Sequence, residues 1–194
     1  MNTRAIAMAI VFAAITIVLN PAISGVGVPF PPLPSLIYNI WEIAIIAAFL
    51  LMGFKSGISI AILNSVFLFA VYPGPSNSIF AIGNTVAASS MMVGIYIADR
   101  VTRKNSQEEK TFGIRKIALS TILAMLLRVV VMAPIMFAIL HYGILAPKIS
   151  DSIIITLVLP IQAVFNITIA LYTIPVGFFV AKVVSRNLKV GNKI

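Results

Sequence analysis

Long apolar runs, separated by short polar stretches, make up most of the chain. Six of them approach or exceed the roughly 20 residues that an α-helix needs to cross about 30 Å of hydrocarbon. The predicted spans cover residues 3–20, 36–54, 57–72, 79–98, 116–140 and 152–182. Because no internal repeat or polar domain interrupts the series, we predict an all-α integral membrane protein in which residues 1–194 form a single transmembrane domain of six helices.

Glycines and prolines indicate where these helices turn or bend. Gly53 and Gly57 flank a lysine between the second and third spans, which predicts a tight helical hairpin rather than one long helix. The last two spans contain Pro134, Pro160 and Pro175. Since proline has no N–H to donate, we expect these helices to be kinked or tilted, with neighbouring helices satisfying the freed carbonyls.

The composition argues against several soluble classes of protein. Hydrophobic residues make up 60% of the 194 residues and charged residues only 10%, whereas an average soluble domain carries roughly a quarter charged residues. So few charges cannot cover the surface of a soluble enzyme or a nucleic-acid-binding domain. We therefore expect the lipid bilayer, and no nucleic acid, as the partner of this surface. Cysteine is absent, which excludes disulfides.

The basic residues behind the net charge of +9 are distributed asymmetrically. With the N-terminus inside, twelve of the 14 Lys and Arg residues fall on the inner side, Lys148 falls outside, and Arg128 lies within a span. An excess of positive charge is typical of cytoplasmic loops. We therefore predict a multi-pass protein of the cell membrane with both termini cytoplasmic.

The N-terminal run has a second interpretation. Residues 1–24 also fit a cleaved signal peptide, because Arg4 precedes an apolar core and Ala22-Ile23-Ser24 precedes Gly25. Cleavage would leave five spans with the two ends on opposite sides of the membrane. Mass spectrometry of the mature N-terminus distinguishes the two topologies.

Two charged residues lie where a lipid-facing helix would avoid them. Arg128 is near the centre of the fifth span, where an arginine costs about 2.5–3.5 kcal/mol on insertion scales, and Glu42 is the only acidic residue within any span. Either the two side chains pair with each other or one or both face a ligand cavity. Both interpretations require Arg128 to face the interior of the bundle.

Amide and aromatic side chains within or beside the spans also have two interpretations. The amides either bond one helix to another or line a polar cavity, and the aromatic rings either form an interfacial belt or stack on a flat heterocycle. The amides are Asn64, Asn84, Gln162 and Asn166. The aromatic residues nearest the second span are Tyr38 and Trp41.

Several motifs with chemical functions are absent from the sequence. No phosphate-binding loop of the GxxxxGK[ST] type is present, so the chain cannot itself couple ATP hydrolysis to work. The single His141 has no second ligand at metal-binding spacing, and no nucleophile or paired-acid motif lies in the spans. We predict no catalytic residues, no metal, no cofactor and no enzyme activity.

A series of local motifs follows the order of one known family. Ala5, Ala9 and Ala13 are spaced four apart, which gives the first helix a smooth face for another helix, from a partner or from this chain. The other motifs are the stretch from Tyr38 to Ile43, the turn 53–57, the loop 73–77, Gly83-Asn84, Arg128 with Met132, and Phe165-Asn166. With the size and topology, they resemble the substrate-binding S components of energy-coupling factor (ECF) vitamin importers, nearest the riboflavin type.

Two positions depart from the riboflavin type. That type carries an asparagine where this chain has Met136 and a lysine where it has Ile169, and both are ligand contacts there. The resemblance therefore implies an S component for a vitamin-like ligand that is less polar than riboflavin or carries different substituents.

The resemblance also implies a mechanism and partners. A small water-soluble nutrient would bind in an outward-facing cavity beneath the loops 21–35 and 73–78, and the alanine motif would contact a transmembrane coupling subunit. Separate ATPase subunits would power uptake. The implied substrate-binding residues are Tyr38, Trp41, Glu42, Asn84 and Asn166.

Two other functions remain compatible with the residues. One is a non-transport membrane scaffold or assembly protein, in which the intramembrane polar groups only join helices. The other is a small self-sufficient carrier, which internal duplication would favour. Ligand binding distinguishes the scaffold, and uptake without ATP distinguishes the carrier.

Overall fold

A computed structural model describes residues 3–105, 113–144 and 148–188. The chain is mostly helical, with one small hairpin and a π-helical segment, Ile154–Val158, between the last two helices. The helices are α1 (Thr3–Val18), α2 (Pro21–Ser24), α3 (Trp41–Met52), α4 (Phe54–Val71), α5 (Pro75–Asn105), α6 (Ile114–His141), α7 (Asp151–Ile153) and α8 (Leu159–Leu188). The strands are β1 (Val28–Phe30) and β2 (Leu33–Tyr38), which pair antiparallel.

The short helix α3 lies at the centre of the bundle. It is apolar around its whole circumference, and its residues from Ala44 to Leu51 are all buried. A helix without a polar face has to be covered on all sides. Helices α1, α4, α5 and α8 pack around it and provide that cover.

The turn between α3 and α4 has the form that the sequence predicts. Gly53 alone separates the two helices and adopts a φ of 91°, a region that side chains other than glycine rarely enter. The chain therefore reverses within one residue, and the two helices pack side by side.

Helices α5 and α6 form the most closely packed pair. A Cβ atom added at Gly94 would lie 2.6 Å from the Cα of Ala124, so the absence of a side chain permits the approach. Nearer the connection between the two helices, Lys116 Nζ donates to Asp99 Oδ1 at 2.5 Å in a buried ion pair. Together these contacts fix the register of the α5–α6 hairpin.

Within the described parts of the chain, four stretches are long and apolar enough to cross a membrane. They are Phe54–Val71, Asn77–Thr102, Ile114–His141 and Asp151–Asn187. Among the described residues, α1 and α3 are apolar but shorter than the roughly 20 residues of a full span. The outer faces of the long helices are apolar, as on α6 at Leu126 and Val130. The six-span topology and the cytoplasmic termini stay predictions.

The start of the second span differs in kind from its prediction. The predicted second span begins at residue 36, but β2 continues to Tyr38 and α3 begins only at Trp41. The apolar residues of β2 pair with β1, as Val28 does with Tyr38, instead of continuing the helix backwards. Periodicity alone does not separate a short apolar strand from the first turn of an apolar helix.

The last helix accommodates its prolines within a continuous helical path. The π-helical turn Ile154–Val158 lies immediately before Pro160, and Pro175 lies inside α8. Proline removes one backbone donor, and a local change of helical pitch lets the remaining carbonyls find partners.

Candidate binding site

A cavity of about 410 Å³ opens at one end of the bundle. Its rim is formed by the end of α1, by α2 and β2, and by the loop end of α4 with the start of α5, while α6 and α8 contribute its deeper wall. This volume lies within the range of small-molecule pockets, about 300–1,000 Å³. The polar residues that line it are Asn20, Ser35, Asn39, Glu42, Tyr72, Asn77, Asn84 and Arg128.

Trp41 and Glu42 reach the cavity because they form the first turn of α3. Both side chains are buried, with 1% and 0% of their surface exposed, yet both line the cavity wall. The acid also occupies the helix N-terminus, where the backbone dipole stabilises negative charge. The start of α3 therefore places an indole ring and a carboxylate side by side.

Arg128 and Glu42 form a two-point ion pair at the cavity wall. Arg128 Nη1 donates to Glu42 Oε2 at 2.5 Å, and Nη2 donates to Oε1 at 3.1 Å. The two residues are 86 positions apart in the chain, and Arg128 is only 3% exposed. The charges therefore pair with each other, and both residues also line the cavity; their contact with a ligand stays a prediction.

Asn166 holds the guanidinium in place from α8. Its Oδ1 accepts a hydrogen bond from Arg128 Nε at 2.9 Å, while its Nδ2 donates to the carbonyl of Gln162 at 3.0 Å. The sulfur of Met91 accepts a further contact from Arg128 Nη1 at 3.3 Å. Asn166 does not line the cavity as the described residues form it. Any effect on a ligand would therefore pass through Arg128.

Some polar side-chain groups at the cavity make no hydrogen bond within the described part of the protein. Asn84 and Asn77 line the cavity, and their side chains make no hydrogen bond to any other described residue. Asn39 Oδ1 is buried and has no hydrogen-bond partner within the described part of the chain. A buried polar group without a partner costs roughly 1–3 kcal/mol. This cost applies to Asn39 Oδ1, whereas the side chains of the half-buried Asn84 and the exposed Asn77 are simply free to bond a ligand.

Tyr38 lies in an aromatic cluster that includes the cavity-lining residue Phe165. Its ring contacts Phe30 and Phe165, with centroids 5.6 Å and 5.2 Å away, and its hydroxyl bonds Thr168 at 2.9 Å. Tyr38 is not among the described residues that line the cavity. The cluster fastens the β1–β2 hairpin to α8.

A second fastening joins the hairpin to the bundle beside the cavity. Tyr172 of α8 donates its hydroxyl proton to the carbonyl of Asn39 at 2.5 Å. On the opposite rim, Tyr72 donates to the carbonyl of Ala22 at 2.7 Å, which holds α2 against the end of α4. The predicted lid segments 21–35 and 73–78 both contribute lining residues, such as Pro21 and Asn77.

The alanine motif of α1 faces the chain's own core over its described part. Ala13 is 6% exposed and Ala9 is half-buried, while the side chain of Ala5 lies outside the described part of the structure. The exposed face of α1 instead carries Ala7, Ile10 and Ala14. The role of the motif in a partner interface stays a prediction.

Several lining residues were not singled out from the sequence. Asn39 lies within the predicted second span and Asn77 in a predicted loop, and both fall within motifs that carry the resemblance. Ile169, which departs from the riboflavin pattern, is fully buried and lines the cavity. Met136, the other departure, is not among the lining residues that the structure describes.

A solved structure of the S component of a bacterial ECF transporter is similar to the whole fold. The two chains superpose with a TM-score of 0.71, and the match covers 97% of this chain and 99% of that one. Their sequence identity is 16%, so the likeness shows a shared fold. No protein-family model and no curated protein matches the chain.

Proposed function

We propose that this chain is the membrane-embedded substrate-binding subunit of an ECF-type importer. It captures a small water-soluble vitamin or related nutrient at the outer face of the cell membrane. A transmembrane coupling subunit and ATPase subunits then drive uptake, and the chain itself performs no catalysis. The fold that this chain shares with an ECF S component supports the proposal.

The observation that carries the proposal is the cavity with its uncommitted amides. A scaffold whose polar residues only join helices has no need of a hollow of about 410 Å³. Here Asn84 and Asn77 line that hollow without bonding to any described residue, and Trp41 offers a ring at its wall. Apolar walls with a few convergent polar groups are typical of ligand pockets.

The ligand that we propose is a riboflavin-like compound. The aromatic residues Trp41, Phe80 and Phe165 line the cavity and suit a flat ring. Ile169 takes the place of the lysine found in the riboflavin type, which removes one polar contact from this wall. We therefore favour a ring with less polar decoration on the side that faces α8.

Ligand binding should be visible in the fluorescence of Trp41, the only tryptophan. Purified protein in detergent, screened against flavins, thiamine, biotin, folates, pantothenate and pyridoxine, should bind one compound with sub-micromolar affinity and show quenching. A Trp41→Phe variant is the matched control, because it should lose the signal while calorimetry still reports binding. A screen without any bound compound would favour the scaffold, and ATP-independent uptake in vesicles would favour the carrier.

The exposed face of α1 is the surface that we assign to the coupling subunit. Ala14→Trp adds bulk on that face, so it should reduce co-purification with the coupling subunit at least about tenfold and leave ligand affinity unchanged. Ala13→Trp adds the same bulk to a buried position and should lower both. Ala9→Trp tests the alanine motif itself. If it alone blocks association while ligand binding persists, the motif and not the exposed face is the interface.

A further inference from the structure

The charges that line the cavity cancel within the protein. Among the described lining residues, only Glu42 and Arg128 are ionised, and they form the two-point pair described above. Side-chain exposure of 0% and 3% leaves little solvent to screen either charge. A ligand in this cavity therefore meets a wall with no net charge.

Neither member of the pair is free to neutralise a charged ligand. A carboxylate ligand that took the two-point contact with Arg128 would have to displace Glu42, and an ammonium ligand that took Glu42 would have to displace Arg128. Each exchange leaves a buried charge without its partner, which is strongly unfavourable. Asn166 further fixes the guanidinium through its Nε atom and restrains it from turning toward a new partner.

Apart from one N–H group of the paired guanidinium, the groups that remain for a ligand are neutral. The hydrogen bonds within the described residues use four of the five N–H groups of Arg128, which leaves one on Nη2. The other uncommitted groups are the amides of Asn77 and Asn84 and the Oδ1 atom of Asn39. Amides both donate and accept, so they match carbonyl, amide, hydroxyl and ring-nitrogen edges.

We propose that this cavity selects an uncharged polar solute and rejects the ionised analogue of the same compound. The inference rests on the proposed function and narrows its substrate class. A net charge brought into the cavity would lose its hydration and find no counter-charge, whereas a neutral hydrogen-bonding edge finds the amides.

Wild-type protein and pairs of compounds that differ in charge test the inference. Calorimetry in detergent compares riboflavin with flavin mononucleotide, nicotinamide with nicotinate, pantothenol with pantothenate, and biotinamide with biotin. In any pair that binds, the neutral member should bind about 100-fold more tightly. A preference below about tenfold, or one for the ionised member, overturns the inference and leaves the proposed function standing. If the cation thiamine binds instead, the inference is overturned and the proposed function stands; if neither the pairs nor the wider screen yields a bound compound, both fail.

A designed charge gives a second, independent test. Asn84→Asp is nearly isosteric and places a negative charge on the cavity wall, so it should weaken binding of an anionic member at least about tenfold more than binding of its neutral partner. Asn187→Asp adds the same charge at an exposed position of α8 and should change neither affinity. Equal effects of Asn84→Asp on both members would overturn the inference.

Discussion

Replacing either Glu42 or Arg128 by Gln should lower the free energy of unfolding by about 3–5 kcal/mol, because each change leaves the other charge buried without its partner. Both side chains are almost fully buried, and their contacts are direct. The expected loss exceeds the roughly 1 kcal/mol by which a typical substitution lowers the free energy of unfolding. Titration of the detergent-solubilised protein with a denaturing detergent measures the change.

The double variant separates pairing from two independent losses. With both residues changed to Gln no unpaired charge remains, so the double loss should fall short of the sum of the single losses by at least about 1 kcal/mol. Arg186→Gln is the control, because Arg186 is exposed in the last turn of α8 and should contribute less than about 0.5 kcal/mol. Additive losses at Glu42 and Arg128 would contradict the pair.

Gly94→Ala should destabilise the protein by about 1–3 kcal/mol, since its new methyl group meets backbone that cannot turn away. The added Cβ would lie 2.6 Å from the Cα and N atoms of Ala124 and 2.8 Å from the carbonyl carbon of Leu123. Relief requires α5 and α6 to move apart, which also opens their shared packing. The same detergent titration reports the loss.

Gly83 is a matched control on the same helix. A Cβ atom added there would meet nothing within 4 Å, so Gly83→Ala should be neutral or stabilise the helix by up to about 1 kcal/mol. The two variants make the same chemical change and differ only in their surroundings. If they have the same effect, the close approach of α5 and α6 does not depend on Gly94.

The helices were predictable because a helix that crosses a bilayer needs a long run of apolar residues. Helices α4, α5, α6 and α8 appear as long apolar runs, and their bounds contain or closely match the predicted spans. The turn at Gly53 was predictable because a reversal between two helices needs a backbone that only glycine adopts easily. Both signals are local, so no knowledge of packing is required.

The hairpin was harder to predict, and it changes the site. Ser35, Leu36 and Ile37 of β2 and the following Asn39 line the cavity, whereas Tyr38 packs against Phe30 and Phe165 and is not among the described lining residues. A helix predicted to begin at residue 36 does not contain this hairpin. The resemblance implied Tyr38 as a substrate-binding residue, which stays a prediction, and it did not single out Asn39.

The sequence by itself determined that this chain is a bundle of apolar helices with an arginine and a glutamate that require an interior, because the cost of exposing them to lipid is a local property. Only the tertiary structure decided that Arg128 and Glu42 neutralise each other, that Asn166 holds Arg128 while Asn84 stays free, and that Ala13 faces inward. Such facts depend on which distant helices meet and at what rotation. Apolar runs of uniform composition leave that rotation unspecified, and it is fixed by close contacts such as Gly94 on Ala124.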